Sequence, residues 1–163
     1  MKVAIMASQP GPDSPEVIAF ASRMYDAARR GDRSVFAQAL PAGLPPNMTN
    51  DKGDSLLMLA TYHGHPALSR LLLQHGADPN RLNDRGQSPL AGAIFKDEKE
   101  VVEVLLEGGA DVDEGRPSAV ETAGLFNKMG EYGEQFEKQR QKLGKGGQGG
   151  EGPGGTKAAS ELV

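Results

Sequence analysis

The 163-residue chain has no cysteine and no tryptophan. Disulfides, thiol nucleophiles and cysteine-ligated metals are therefore excluded, and the composition fits a reducing compartment, cytoplasmic or nuclear. Aromatic residues make up only 5% and hydrophobic residues 37%. That is thin for a core built around large rings and suits helices packed through alanine and leucine. There is no basic excess. The net charge of −4 supplies no global positive field to hold nucleic acid. No apolar run approaches the roughly 20 residues of a membrane-spanning helix, so no membrane partner is expected. The first residues offer only Val3 to Ala7 before Pro10. That run is shorter than the core of a secretory signal, and no signal peptide is expected.

What the chain does have is a rhythm. Gly76-Ala77-Asp78 returns as Gly109-Ala110-Asp111, 33 residues on (109 − 76). Asn50-Asp51-Lys52-Gly53 returns at the same offset as Asn83-Asp84-Arg85-Gly86, Leu57 as Leu90, and Ala60 as Ala93. One period earlier, Ala27, Gly31 and Gly43 hold the corresponding places in a degenerate first copy. The third junction is shorter: Ala93 finds its partner at Ala123, an offset of 30 (123 − 93). A fixed period of this size marks a stacked array of small repeats.

Four repeats are expected, at about residues 18–49, 50–82, 83–115 and 118–142, within a domain spanning 14–142. Residues 1–13 form a flexible leader in this reading. Residues 143–163, rich in glycine, form a disordered tail that buries too little to offset its chain entropy. Each repeat reads as helix, turn, helix, loop. Ser14-Pro15-Glu16 and Ser88-Pro89 are helix starts, with a serine cap followed by proline at the first helical position. The second helix of the third repeat, from Val101 to Leu106, is apolar over most of its surface, as a helix between two neighbours should be. The fourth repeat has an apolar first helix and a charged, lengthened second one, as expected where one face meets water.

These residues resemble the ankyrin repeat. The second repeat matches the family's pattern at Gly53, Leu57, Ala60, Gly64-His65, Leu68, Leu71-Leu72-Leu73, Gly76-Ala77-Asp78 and Asn80. The third matches it at Gly86, Ser88-Pro89-Leu90, Ala93, Val101-Val102, Leu105-Leu106, Gly109-Ala110-Asp111 and Asp113. Met58 and Ala91 stand where the family usually carries a histidine, which implies somewhat weaker coupling between repeats. Together the copies are similar to short stand-alone ankyrin proteins of microbes and fungi. The resemblance implies an all-α ankyrin-repeat solenoid of about four helix-turn-helix repeats with β-hairpin-like loops. It also implies a protein partner, docked in a concave groove, and no catalysis.

In ankyrin repeats the two residues before the inter-helix glycine face that groove. Here they are Arg29-Arg30, Tyr62-His63, Phe95-Lys96 and, in the shortened fourth repeat, Leu125-Phe126. Aromatics on a solvated face are enriched at binding hot spots, and the flanking Arg30, His63 and Lys96 favour a partner that sets acidic groups beside an apolar anchor. The opposing expectation packs Tyr62 and Phe95 on the neighbouring helix. Lys52, Asp54, Arg81, Asp84, Arg85 and Gln87, at the hairpin tips, form an outer rim.

Other motifs are weaker. His63-Gly64-His65 with His75 lacks the converging spacing of a metal site. Asp111 to Glu114 lacks the rest of a calcium loop. Gly144-Lys145-Gly146 lacks the strand, hydroxyl residue and helix of a phosphate loop. Ser14, Ser55, Ser88 and Ser118 read as caps, not nucleophiles. No cofactor is expected. Two alternatives stand beside the adaptor, inhibitor or assembly-chaperone reading. One is a metal-dependent or enzymatic regulator using His63 and His65. The other is a spacer whose tails carry the binding, for instance through the apolar C-terminus Glu161-Leu162-Val163.

Overall fold

The computed structural model describes residues 9–145. Most of the leader and of the glycine-rich tail, with Glu161-Leu162-Val163, lies outside the described residues. Within them are eight helices: α1 (Pro15–Arg30), α2 (Arg33–Ala39), α3 (Leu56–Tyr62), α4 (Pro66–Gln74), α5 (Pro89–Lys96), α6 (Lys99–Glu107), α7 (Ala119–Leu125) and α8 (Met129–Lys142). They pair in chain order into four hairpins. The first helices α1, α3, α5 and α7 stack side by side in one layer, while α2, α4 and α6 stack in a second, with α8 packed on α7. The array is all-α; among the described residues the only β pairing is two isolated bridges, Thr49 with Ser55 and Gly115 with Ser118.

Local chemistry sets these boundaries. The side chains of Ser14, Ser55, Ser88 and Ser118 each accept a bond from the backbone N–H three residues on, at 3.3, 3.0, 3.1 and 3.2 Å. These bonds satisfy donors that a helix start leaves unpaired. Glu121 completes a reciprocal cap by accepting from the Ser118 N–H at 2.8 Å. In the loops, Asn50 Oδ1 accepts from the N–H groups of Lys52 and Asp54, and Asn83 Oδ1 does the same for Arg85 and Gln87. One side chain thus folds each hairpin tip.

The repeats are tied together at two levels. Burial is the larger: Leu57, Ala60, Leu90, Ala93, Leu72 and Leu105 are at most 1% exposed. Polar links fix the register. Asn47 accepts from the Asp78 N–H at 2.7 Å and donates to the Gly76 carbonyl at 3.1 Å. Asn80, one period on, accepts from the Asp111 N–H at 2.7 Å. The next position is Asp113, and its partner is a side chain instead: Arg140 donates to it at 2.5 and 3.0 Å. Gln139 beside it donates to the carbonyls of Leu106 and Ala110. These bonds dock α8, the charged, lengthened helix of the fourth repeat. Its inner face is set by Tyr132, Phe136 and Gln139, which are buried at helical spacing.

The Arg140 guanidinium beside Asp113 holds its carboxyl below the usual carboxylate range, with partial burial working in the opposite direction. A carboxylate with a depressed folded pKa contributes stability above its unfolded value, about 3.9, and loses it as pH falls through the folded value. Asp113→Asn should therefore abolish part of the acid sensitivity of thermal unfolding below about pH 4 and leave its profile above about pH 5 flat. Melting curves of both proteins across that range check this. Parallel acid profiles would show that the pair does not couple to folding.

Candidate partner-binding groove

The stacked first helices end in the same way. Each chain reversal is closed by a bond from the N–H five residues on to a buried alanine carbonyl: Asp32 to Ala27, His65 to Ala60, Glu98 to Ala93 and Lys128 to Ala123, at 2.9, 2.9, 3.0 and 2.7 Å. The alanines face the stack. The helical turn therefore carries the residues two and three positions later to the other side. There Arg29, Arg30, Tyr62, His63, Phe95, Lys96, Leu125 and Phe126 are all exposed.

Tyr62 is 40% exposed, Phe95 52%, Phe126 50% and Leu125 74%, so these side chains are not consumed by the core. They do touch one another. Phe95 and Phe126 meet edge to face at 5.3 Å, His63 meets Tyr62 at 5.5 Å, and Lys96 Nζ sits 5.0 Å from the centre of the Tyr62 ring. The row of exposed rings runs across three repeats, with a cation resting on Tyr62. It borders two hollows. One, of about 260 Å³, is lined by Tyr62, Gln87, Ala91, Gly92, Phe95, Pro117, Thr122 and Phe126. The other, of about 220 Å³, is lined by Lys52, Asp54, Met58, Leu59, Tyr62, Asn83, Arg85 and Gln87. Tyr62 separates an apolar hollow from a charged one.

Of the rim residues, Lys52, Asp54, Arg85 and Gln87 line these hollows. Arg81 and Asp84 are exposed but line neither of them. Asp84 lies against Gly53 of the preceding hairpin, and its N–H donates to the Lys52 carbonyl at 3.1 Å. Sequence reasoning missed Gly92, Pro117 and Thr122. Gly92 lies one helical turn before Phe95 on the same face, but it presents no side chain to single it out.

Charge is unevenly used. The ion pairs among the described residues join Arg29 to Asp26, Lys99 to Glu131, Lys128 to Asp97, Lys138 to Glu134, Arg140 to Asp113 and Glu137, and Lys145 to Asp111. Among these residues, Arg30, Lys52, Arg85 and Lys96 make no ion pair. Partial desolvation holds the His63 imidazole below its ordinary pKa, reinforced by His65, Arg29 and Lys96. The groove side is thus locally positive in a chain of negative net charge.

His65 and His75 each bond a backbone carbonyl. The Nε2 of His65 donates to the Arg29 carbonyl at 2.7 Å, and its ring lies over Gly31. His75 bonds the Leu71 carbonyl at 3.0 Å through Nδ1. Among the described residues no group of three or more histidines and carboxylates could hold a metal ion. None of the helices is long and apolar enough to cross a membrane. In the Asp111 to Glu114 turn, Asp111 is engaged by Lys145 and Asp113 by Arg140.

Two layers of paired helices, a bonded loop ladder and an exposed inner face define a helical repeat solenoid. The family model of ankyrin repeats (three copies) matches residues 24–115, more than half of the chain, and the chain belongs to the ankyrin repeat family. An ankyrin repeat protein of Pseudomonas aeruginosa is 48% identical over 67 residues, which are 40% of this chain and 39% of that protein. The chain therefore spans less than half the length of this relative. The crystal structure of the human ASB11 ankyrin repeat domain is similar with a TM-score of 0.52 and 30% identity, over 55% of this chain and 40% of that one. Ankyrin repeats are in general protein–protein interaction modules and typically non-catalytic.

Proposed function

We propose that this chain acts by binding, without chemistry of its own, and holds a protein partner against the inner groove as an adaptor, inhibitor or assembly chaperone. The observation that carries this reading is the row of Tyr62, Phe95 and Phe126, exposed beside cations that make no ion pair among the described residues. Large rings cost little conformational entropy to immobilise, and such residues anchor interfaces. The cations select a partner segment that sets carboxylates next to an apolar anchor.

Affinity capture from native lysate, with wild-type and Tyr62→Ala/Phe95→Ala protein side by side, tests this. The partner captured by the wild type should bind the double variant at least about tenfold more weakly. Circular dichroism should show equal helicity, because neither ring is buried. Equal capture by both folded proteins would remove the groove from the account. Binding would then have to run through the hairpin tips or the tails.

A further inference from the structure

One residue lining the apolar hollow is a glycine in mid-helix. Gly92 lies inside α5, where glycine weakens a helix relative to alanine. Nothing local requires it. Its φ is not in the left-handed region, and a methyl group built there would touch only Tyr62 Cδ2, at an ordinary 3.6 Å. That methyl would stand in the hollow between Tyr62 and the Phe95–Phe126 pair. The chain thus carries a helix-weakening residue at a position where a side chain would narrow the site.

We infer that Gly92 keeps this hollow open for a single large apolar side chain of an acidic partner segment, and so sets what the groove accepts. The inference rests on the groove reading above. The size fits: about 260 Å³ exceeds the roughly 150 Å³ cavity that holds a benzene ring and falls below the roughly 300–1,000 Å³ of sites for drug-sized ligands. A leucine, methionine or phenylalanine side chain fits within it. Charge fits as well. Lys96 lies on the Tyr62 ring at the edge of the hollow, and Lys52 and Arg85 line the adjoining one. Carboxylates on either side of the anchor residue would meet cations that have no ion partner within the described residues.

The test is a random peptide library displayed on phage. It is panned on the full chain, on Gly92→Ala and on the Tyr62→Ala/Phe95→Ala variant, and synthetic copies of the selected peptides are titrated by fluorescence anisotropy. Wild-type protein should select peptides with one large apolar residue flanked by Asp or Glu. Gly92→Ala should bind those peptides roughly tenfold more weakly, the scale of a methylene-sized change in an apolar pocket. It should also select smaller anchors and melt at a higher temperature. Undiminished affinity in Gly92→Ala, with loss in the double variant, would overturn the role of Gly92 and leave the groove standing. Peptides lacking either the anchor or the acids would overturn the stated ligand. Peptides kept by both variants, or none selected at all, would bring down the groove reading and this inference with it.

Discussion

Phe136→Ala is expected to release α8 from the array and to cost about 3–5 kcal/mol, the range for emptying a fully buried phenylalanine site. Phe136 is 1% exposed and lies nearly parallel to Tyr132, itself 2% exposed, with ring centres 6.0 Å apart. These two rings are the only large apolar side chains that α8 buries. The remaining anchors are polar: the Tyr132 hydroxyl on Asp97, Glu131 with Lys99, Gln139 on two carbonyls and Arg140 on Asp113. Each such bond contributes only about 0.5–1.5 kcal/mol net, somewhat more where a charge is involved. With Tyr132 as the one large ring left, they hold the 14-residue helix only weakly. In a repeat array stability is a sum of repeat and nearest-neighbour terms, and α8 has its neighbour on one side only among the described helices. The loss should therefore be local. Hydrogen exchange should show α8 amides unprotected in the variant, with α3 to α6 protected as in the wild type. Equal loss of protection across α3 to α6 would mean that the array unfolds as one unit. Partner binding should weaken as well, because α7, which carries Leu125 and leads into Phe126, is packed by α8.

The repeat frame was legible because repetition makes each position testable against another. Ser55 and Ser88, Leu57 and Leu90, and Ala60 and Ala93 recur at one offset, and each pair does one structural job. The four groove pairs were legible for the same reason, since they sit at a fixed distance from the buried alanines. Burial of Tyr132 and Phe136 was hidden. The fourth repeat breaks the 33-residue frame, and the surrounding Glu, Lys and Arg of α8 outweigh two rings four residues apart in any reading by composition. The hollow was hidden for another reason. A search for protruding anchors finds Tyr62 and Phe95, whereas Gly92 contributes by lacking a side chain. Pro117 and Thr122 reach the same hollow only through the shortened junction, which no periodic template describes.

Gly31→Ala should cost about 2–3 kcal/mol, and its neighbours in the repeat frame say why. Gly31, Gly64, Asp97 and Asn127 hold the same place in the four repeats and share positive φ, at 71°, 76°, 58° and 57°. A side chain in that conformation costs roughly 1–2 kcal/mol, less for Asp and Asn. What lies beneath differs. At Gly31 an added Cβ would fall 2.4 Å from Nδ1 and 2.5 Å from Cγ of His65. The ring cannot yield without surrendering its bond to the Arg29 carbonyl, a further loss of about 1 kcal/mol. At Gly64 the Cβ would meet only the carboxylate of Glu98, a mobile tip, at 2.8 Å. Asp97 shows the site occupied: its carboxylate takes Lys128 at 3.3 Å and the Tyr132 hydroxyl at 3.0 Å. Gly64→Ala should thus cost about 1 kcal/mol, the backbone part alone. In a His65→Ala background Gly31→Ala should fall to the same value, giving a coupling of about 1–2 kcal/mol in the double-mutant cycle. Denaturant titrations of the four proteins measure it. An additive cycle, or equal penalties at Gly31 and Gly64, would show that His65 does not pin the first repeat to the second. The pin also matters to the groove. It joins the carbonyl of Arg29 to the turn that follows Tyr62 and His63, so a displaced His65 ring would shift the first pair of groove residues against the second and weaken partner binding without touching a binding side chain.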